Sequence, residues 1–151
     1  MLFTYQYYSE VNKDFQKLSN ELDMELETKN GDKQKEYSKY NKLDNIKDII
    51  IAFDNDKPIG CGSIKHYDNK RYEVKRVYIQ KQYRGNGISK EIMKKLEDVA
   101  KQKGVHALIL ETGKQFIAAV SLYKSLGYKE IENYGQYKNM DSSICMEKTI
   151  N

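Results

Sequence analysis

From Glu73 to Lys90 the chain runs strand-like to Ile79, reads Gln82-Tyr83-Arg84-Gly85-Asn86-Gly87, and then opens an amphipathic helix. Gly85 and Gly87 permit backbone angles closed to residues with a Cβ and let main-chain N–H groups approach a ligand. The apolar residues Ile88, Ile92, Met93, Leu96, Val99 and Ala100 recur at helical spacing. The first-turn amides of such a helix lack internal partners and carry the positive end of its dipole. Lys81, Arg84 and Lys90 add positive charge around that point. The local chemistry is phosphate capture.

Two better-known phosphate loops do not fit this stretch. The dinucleotide fingerprint needs a third glycine where Lys90 stands, and the P-loop needs four residues between its glycines and a Lys-Ser/Thr pair after them. What remains is Q-x-x-G-x-G, read as Gln82, Gly85 and Gly87, between a strand and a helix. A plain glycine turn joining a strand to a surface helix would look the same.

The rest of the chain gives that loop a setting. Leu2 to Tyr8 predicts a first strand, and Val11, Phe15, Leu18 and Leu22 predict a helix over Glu10 to Leu26. A second short helix is expected near Lys33 to Asn41. Ile46 to Phe53 and Pro58 to His66 form a hairpin about Asp54-Asn55-Asp56, and a turn at Asp68-Asn69 leads to the strand Arg71 to Ile79. In that strand Tyr72 and Val74 are followed by Val77 and Ile79 with an odd spacing of three between the pairs. One extra residue, a β-bulge, keeps all four on one face and frees backbone groups for a ligand. Lys103-Gly104 stops the long helix and Val105 to Thr112 is an apolar strand, so strand, helix and strand make a βαβ unit with a parallel pair. Gln115 to Leu126 is the next helix, and Tyr128 to Asn133 pairs with Ser142 to Thr149 around a polar loop, Tyr134 to Asp141.

At 151 residues and 39% hydrophobic, the chain suits one domain with its own core, taken here as residues 1–151. No apolar run approaches the ~20 residues of a membrane span, and the N-terminus lacks the order of a signal peptide, so a cytoplasmic location is expected. Cys61 and Cys145 lie in strand-like runs without metal-ligand spacing and are expected as buried free thiols. The net charge of +4 is spread over scattered lysines, which argues against a nucleic-acid partner.

The glycine loop resembles motif A of the GNAT superfamily of acetyl-coenzyme A-dependent N-acetyltransferases. Ala119 to Tyr128, A-V-S-L-Y-K-S-L-G-Y, resembles motif B, and E-V-K-R-V-Y-I before the loop and L-E-T-G at Leu110 to Gly113 resemble one branch of the superfamily. The resemblance covers most of the chain from Ile49 onward. It implies an α/β fold of mixed α+β type: a mostly antiparallel sheet of six to seven strands, a splayed parallel junction that forms the cofactor slot, and helices on both faces. It implies acetyl-CoA held by Val77, Tyr78, Ile79, Gln82, Tyr83, Arg84, Gly85, Asn86, Gly87, Ile88, Ser89, Gln115, Ala119 and Tyr123. Two positions depart from the pattern. Ser89 stands where many members have a third glycine, and Phe116 where an asparagine or glutamine contacts the pantetheine arm, with Gln115 beside it as a substitute.

Acetyl transfer to an amine needs a neutral nucleophile, a stabilised oxyanion and a proton for the departing thiolate. A lysine-like amine with a pKa of ~10.4 is protonated at neutral pH, so a carboxylate must help remove the proton. Glu73 matches an acidic position of the motif A strand and comes first; Glu111 in the next strand comes second; a partly buried glutamate paired with Lys75, Arg76 or another cation is the plain alternative for either. Tyr123 is the matching acid for the thiolate, and backbone N–H groups around Tyr78 and Ile79 would meet the oxyanion. His66 and His106, at strand ends, are read as solvated. Tyr7, Tyr8, Tyr134 and Tyr137 are expected in the wall of the acceptor pocket, with the first two helices, the Lys65 to Asn69 hairpin and the loop Tyr134 to Asp141, since aromatic faces accept cationic amines; ordinary loop and core packing is the equal alternative for these tyrosines. The acidic run Glu21, Asp23, Glu25 and Glu27 is read as the solvated face of a helix. A small-molecule primary amine is the expected acceptor, with a homodimer left open; a peptide N-acetyltransferase and a non-catalytic acyl-CoA-binding module are the alternatives.

Overall fold

Alternating apolar residues and a run of turns organise the chain around one sheet, which a computed structural model describes over residues 2–30 and 42–151. In order come β1 (Thr4–Tyr8), α1 (Lys13–Asn30), β2 (Asp48–Asp54), β3 (Lys57–His66), β4 (Arg71–Ile79), α2 (Ile88–Gln102), β5 (Ala107–Gly113), α3 (Ile117–Ser125), β6 (Lys129–Ile131) and β7 (Ser143–Thr149). Single 3₁₀ turns occupy Lys81–Tyr83 and Gly135–Tyr137. Among the described residues, seven strands form one sheet in the order β1-β2-β3-β4-β5-β7-β6. Only β4 and β5 run parallel among its neighbouring pairs. This is the mixed, mostly antiparallel α/β sheet that the sequence predicts. The helix expected at Lys33 to Asn41 lies outside the described residues.

The first helix is displaced from its expected span. Asn12 accepts a hydrogen bond from the Phe15 N–H through its side chain, at 2.9 Å, which is an N-cap, so α1 begins at Lys13 and leaves Val11 outside. Phe15 and Leu18 are fully buried against Ile49, Ile51 and Cys61 on one face of the sheet. Each such burial contributes roughly 1.5–3 kcal/mol. The opposite face carries α2 and α3, whose Ile92, Met93, Leu96 and Tyr123 pack with Val74, Leu108 and Met146. Helices therefore cover both faces. No helix of the described residues is long and apolar enough to cross a membrane.

The bulge falls where the apolar spacing puts it. β3 and β4 pair Cys61 with Tyr78 and Ser63 with Lys75, so Gly62 alone opposes Arg76 and Val77. Tyr72, Val74, Val77 and Ile79 all join the core under α2. Arg76 takes the left-handed conformation, φ 60°. The carbonyls there find partners on β3: the Cys61 thiol donates to the Arg76 carbonyl at 3.3 Å and the Ser63 hydroxyl to the Lys75 carbonyl at 2.6 Å. Gly62 has a packing reason of its own, since a Cβ would stand 2.7 Å from the Ile92 side chain.

Candidate active site

The parallel pairing of β4 with β5 runs only from Arg71–Ala107 to Glu73–Ile109, and beyond it the strands separate. A cavity of about 140 Å³ lies in the gap, between Val74 to Val77 on one side and Leu110 to Gly113 on the other. Leu22 and Leu26 of α1 and Phe116 add apolar walls. A larger cavity of about 950 Å³ runs from this junction along α3 to Gly85, Gly87 and the first turn of α2. Tyr123, Val77, Gln115 and Phe116 line both.

At the far end of the larger cavity the loop has the form of an anion cradle. Gly85 and Gly87 hold φ of 83° and 75°, and a Cβ at either would meet nothing within 4 Å. Gly87 caps α2, so the unpartnered amides of its first turn face the same space. Ser89 and Lys90 line it, and Lys29 reaches it from α1 while sitting over the Phe116 ring. Arg84 lines it too. Its guanidinium donates to Glu25 at 2.8 Å and to the Ile79 carbonyl at 2.8 Å, so its charge is partly matched by α1.

Of the remaining residues expected around a cofactor, Tyr78, Ile79, Tyr83, Ile88 and Ala119 line the large cavity. Gln82 and Asn86 are exposed and do not line it, and the Asn86 amide instead donates to the Tyr83 carbonyl. The Tyr83 hydroxyl is taken by Asp54 at 2.7 Å. Gln115 folds back over Gly113, where a Cβ would lie 2.5 Å from its Oε1.

Tyr123 is 8% exposed, and burial pushes its phenol up to about 12. It therefore holds its proton across neutral pH. The two candidate carboxylates share the sheet face opposite α2 but differ in surroundings. Glu73 is 6% exposed, lines neither cavity, accepts a hydrogen bond from the Tyr134 hydroxyl at 2.6 Å and lies 3.8 Å from the Lys75 ammonium. Glu111 lines the smaller cavity and accepts from the Ser143 hydroxyl at 2.6 Å. Burial raises the Glu111 carboxyl, against the lowering effects of Ser143 and Lys75, and burial lowers the Lys75 ammonium.

Three expectations about the acceptor wall change. Tyr7 lies on β1, with three strands between it and β5, and donates to Asp48, so it does not join Tyr134 and Tyr137. Those two are buried, with Tyr134 edge-on to Tyr137 at 5.6 Å and to Tyr67 at 5.2 Å, and they pack under Ile109 and Cys145. The segment that reads as an exposed polar loop is thus a plug beneath β5 and β7. The acidic run of α1 is not simply solvated either: Glu21 meets Tyr78 and Gln80, Asp23 meets Arg76, and Glu25 meets Arg84. The pairing of Glu73 with Lys75 is the plain alternative that the sequence offers for this glutamate. Ser143 beside Glu111 and the Tyr134 contact to Glu73 have no local sign in the sequence.

The Acetyltransferase (GNAT) family model matches residues 5–128. The chain belongs to this family. Among GNAT relatives, an IAA acetyltransferase of Azospirillum brasilense is 32% identical over 103 residues, 68% of this chain and 67% of that one. A Klebsiella pneumoniae protein crystallised as a candidate acyl-CoA N-acyltransferase is 28% identical, with a TM-score of 0.83 over 99% of both chains. A GNAT family acetyltransferase from Elizabethkingia anophelis, solved with acetyl-CoA bound, shares the fold at 18% identity, with a TM-score of 0.72 over 97% of each chain.

Proposed function

We propose that this GNAT chain transfers an acetyl group from acetyl-CoA to the primary amine of a small molecule by direct attack, with Tyr123 as the acid and a glutamate as the base. The observation that carries the reading is that Tyr123 lines both the long cavity ending at the Gly85–Gly87 cradle and the small cavity between the splayed strands. The left-handed glycines, open space at both Cβ positions and the first-turn amides fit a pyrophosphate. The largely apolar walls given by Ile117, Ala118, Ala119 and Leu122 fit the arm that follows it.

Acetyl-CoA, when bound, supplies an acyl group activated as a thioester. Val77 to Ile79 would hold the acyl oxygen through main-chain N–H groups beside the bulge, a preorganised donor set of the oxyanion-hole type. Tyr123, protonated at neutral pH, would donate to the leaving sulfur. A carboxylate on the acceptor face would take the ammonium proton. Leu22, Leu26 and Phe116 would hold the apolar part of the acceptor and keep water from it. One domain, acting in the cytoplasm without a nucleic-acid or membrane partner, is part of the same reading, and homodimerisation is left to measurement by light scattering.

Thermal shift and free-thiol release test the reading. Acetyl-CoA at a hundred times its dissociation constant should stabilise the chain by about 2.7 kcal/mol, and a panel of amines, amino acids and peptides should release thiol fastest with small amines. A shift with ATP or NAD but none with acetyl-CoA, or turnover confined to peptides, would refute it.

A further inference from the structure

The junction between β4 and β5 holds two glutamates, and the register separates them. Glu73 sits in the last parallel pair, opposite Ile109, inside the closed part of the sheet. Glu111 is two residues farther along β5, beyond that pair, where the strands part and the small cavity opens. Glu73 is enclosed, with the Tyr134 hydroxyl on Oε2 and the Lys75 ammonium 3.8 Å from Oε1. Both of its oxygens thus face protein groups. Glu111 shares its cavity with Tyr123, Lys75 and the apolar walls from α1.

We propose that Glu111, rather than Glu73, is the carboxylate that takes the proton from the acceptor amine, and that Glu73 is a positioning residue that holds Lys75 and Tyr134 in place around it. This rests on the acetyltransferase reading and assigns its base. An incoming ammonium gives one proton to Glu111, which passes it to solvent, and the freed nitrogen lone pair forms the bond to the acyl carbon as the carbon–sulfur bond breaks. Tyr123 gives its hydroxyl proton to the leaving sulfur and regains one from the nitrogen, so one proton in all reaches solvent.

The surroundings of Glu111 suit that task. Facing it are Lys75 and Glu73 from β4, Ser143 and Cys145 from β7 and Tyr137 from the turn before β7. Two carboxyls, of Glu73 and Glu111, meet one amine, of Lys75, at this point, a surplus of acidic groups that suits a cationic acceptor. Burial raises the Glu111 carboxyl, which makes it a stronger base than an exposed glutamate. The Ser143 hydroxyl opposes that rise by hydrogen-bonding the ionised form. Loss of Ser143 should therefore move the titration of Glu111 upward, and because the base acts deprotonated, the acid limb of the rate profile should move to higher pH with it.

The test uses the full chain, acetyl-CoA, and propylamine, phenethylamine, tyramine and spermidine as acceptors, the fastest being taken forward. E111Q should keep the thermal shift with acetyl-CoA and lose about 100-fold or more in kcat/KM at neutral pH, the usual worth of a general base. The loss should shrink as pH rises toward the amine's own pKa of ~10. E73Q should lose less, and it should keep the acid limb. Carbon-13 NMR of the side-chain carboxyls of the unliganded chain, assigned through E111Q, should show Glu111 titrating above the usual glutamate range. In S143A that titration and the acid limb should rise together. The assignment falls if E73Q loses both the rate and the acid limb while E111Q stays within threefold of wild type, or if S143A moves the carboxyl titration and leaves the limb in place. A wild-type chain that turns over none of the four amines would instead overturn the small-amine reading, and this assignment with it.

Discussion

Gly87 and Gly104 bracket α2 with nearly the same backbone, φ 75° and 76°, and neither would meet anything within 4 Å if given a Cβ. Gly104 closes the helix, with the Val105 N–H reaching back to the Ala100 carbonyl at 3.0 Å. Alanine at either site forces an L residue into the left-handed region, which costs roughly 1–2 kcal/mol. In a chain of this size that lowers Tm by roughly 2–8 °C. The two substitutions should thus destabilise alike. They should differ in binding, because the methyl of G87A enters the space in front of the first-turn amides of α2, whereas that of G104A faces solvent far from the cavity. With acetyl-CoA at a hundred times the wild-type dissociation constant, wild type and G104A should both gain about 2.7 kcal/mol, a rise of roughly 5–11 °C. G87A should gain little. Differential scanning fluorimetry with and without ligand reads both quantities from the same samples. An undiminished rise in G87A would show that the amides of this helix do not hold the ligand, whatever its effect on Tm.

Further outcomes follow from the interior of the site. Y123F should lower kcat by about 100-fold with KM little changed, and at every pH below about 12 alike, since burial keeps the phenol protonated there; a KM effect alone would point to packing. Y134F removes the hydroxyl that donates to Glu73 and should cost roughly 1.5–3 kcal/mol in urea unfolding, the range for a hydrogen bond to a charged group; a change under ~0.5 kcal/mol would show that the bond contributes nothing net. Burial raises the Cys61 thiol to about 12 and the Cys145 thiol to about 11, so a thiol reagent near neutral pH should label neither until denaturant is added; rapid labelling of the native chain would contradict that burial.

What could be read in advance is what depends on neighbours in sequence. The odd spacing between Val74 and Val77 located the bulge, because an apolar face must stay continuous whatever the backbone does between. The glycine loop and α2 were legible for the same reason. The acidic residues of α1 were misread because their partners are remote: Asp23 and Arg76 are 53 positions apart, Glu25 and Arg84 are 59. No local pattern separates a solvated helix face from one that clamps a strand. Tyr134 and Tyr137 read as the wall of an acceptor pocket because they stand in a polar loop and aromatic faces accept cationic amines. Their burial follows from the hydroxyl of Tyr134 finding Glu73 and their rings finding Ile109 and Cys145, pairings that exist only once β5 and β7 are side by side. Glu73 comes before Glu111 in the sequence because it matches the acidic position of the motif A strand; that Glu111 lines the small cavity is not visible there, since where a parallel pair stops cannot be seen from the composition of either strand.

Arg76 is an arginine in a conformation that favours glycine, and its guanidinium, 2% exposed, donates to the Ser19 carbonyl at 2.6 Å and to Asp23 at 2.8 Å on α1. The first helix is therefore a template against which the middle strand takes its shape. An engineer who exchanges residues 1–30 with those of a relative, to borrow its taste in amines, would also withdraw the mould for residues 74–78 and receive a sheet that no longer bends at that point. Helix and strand are one transplantable part in two pieces, and a working chimera must carry Asp23 and Arg76 across together and hold a main-chain carbonyl where that of Ser19 stands.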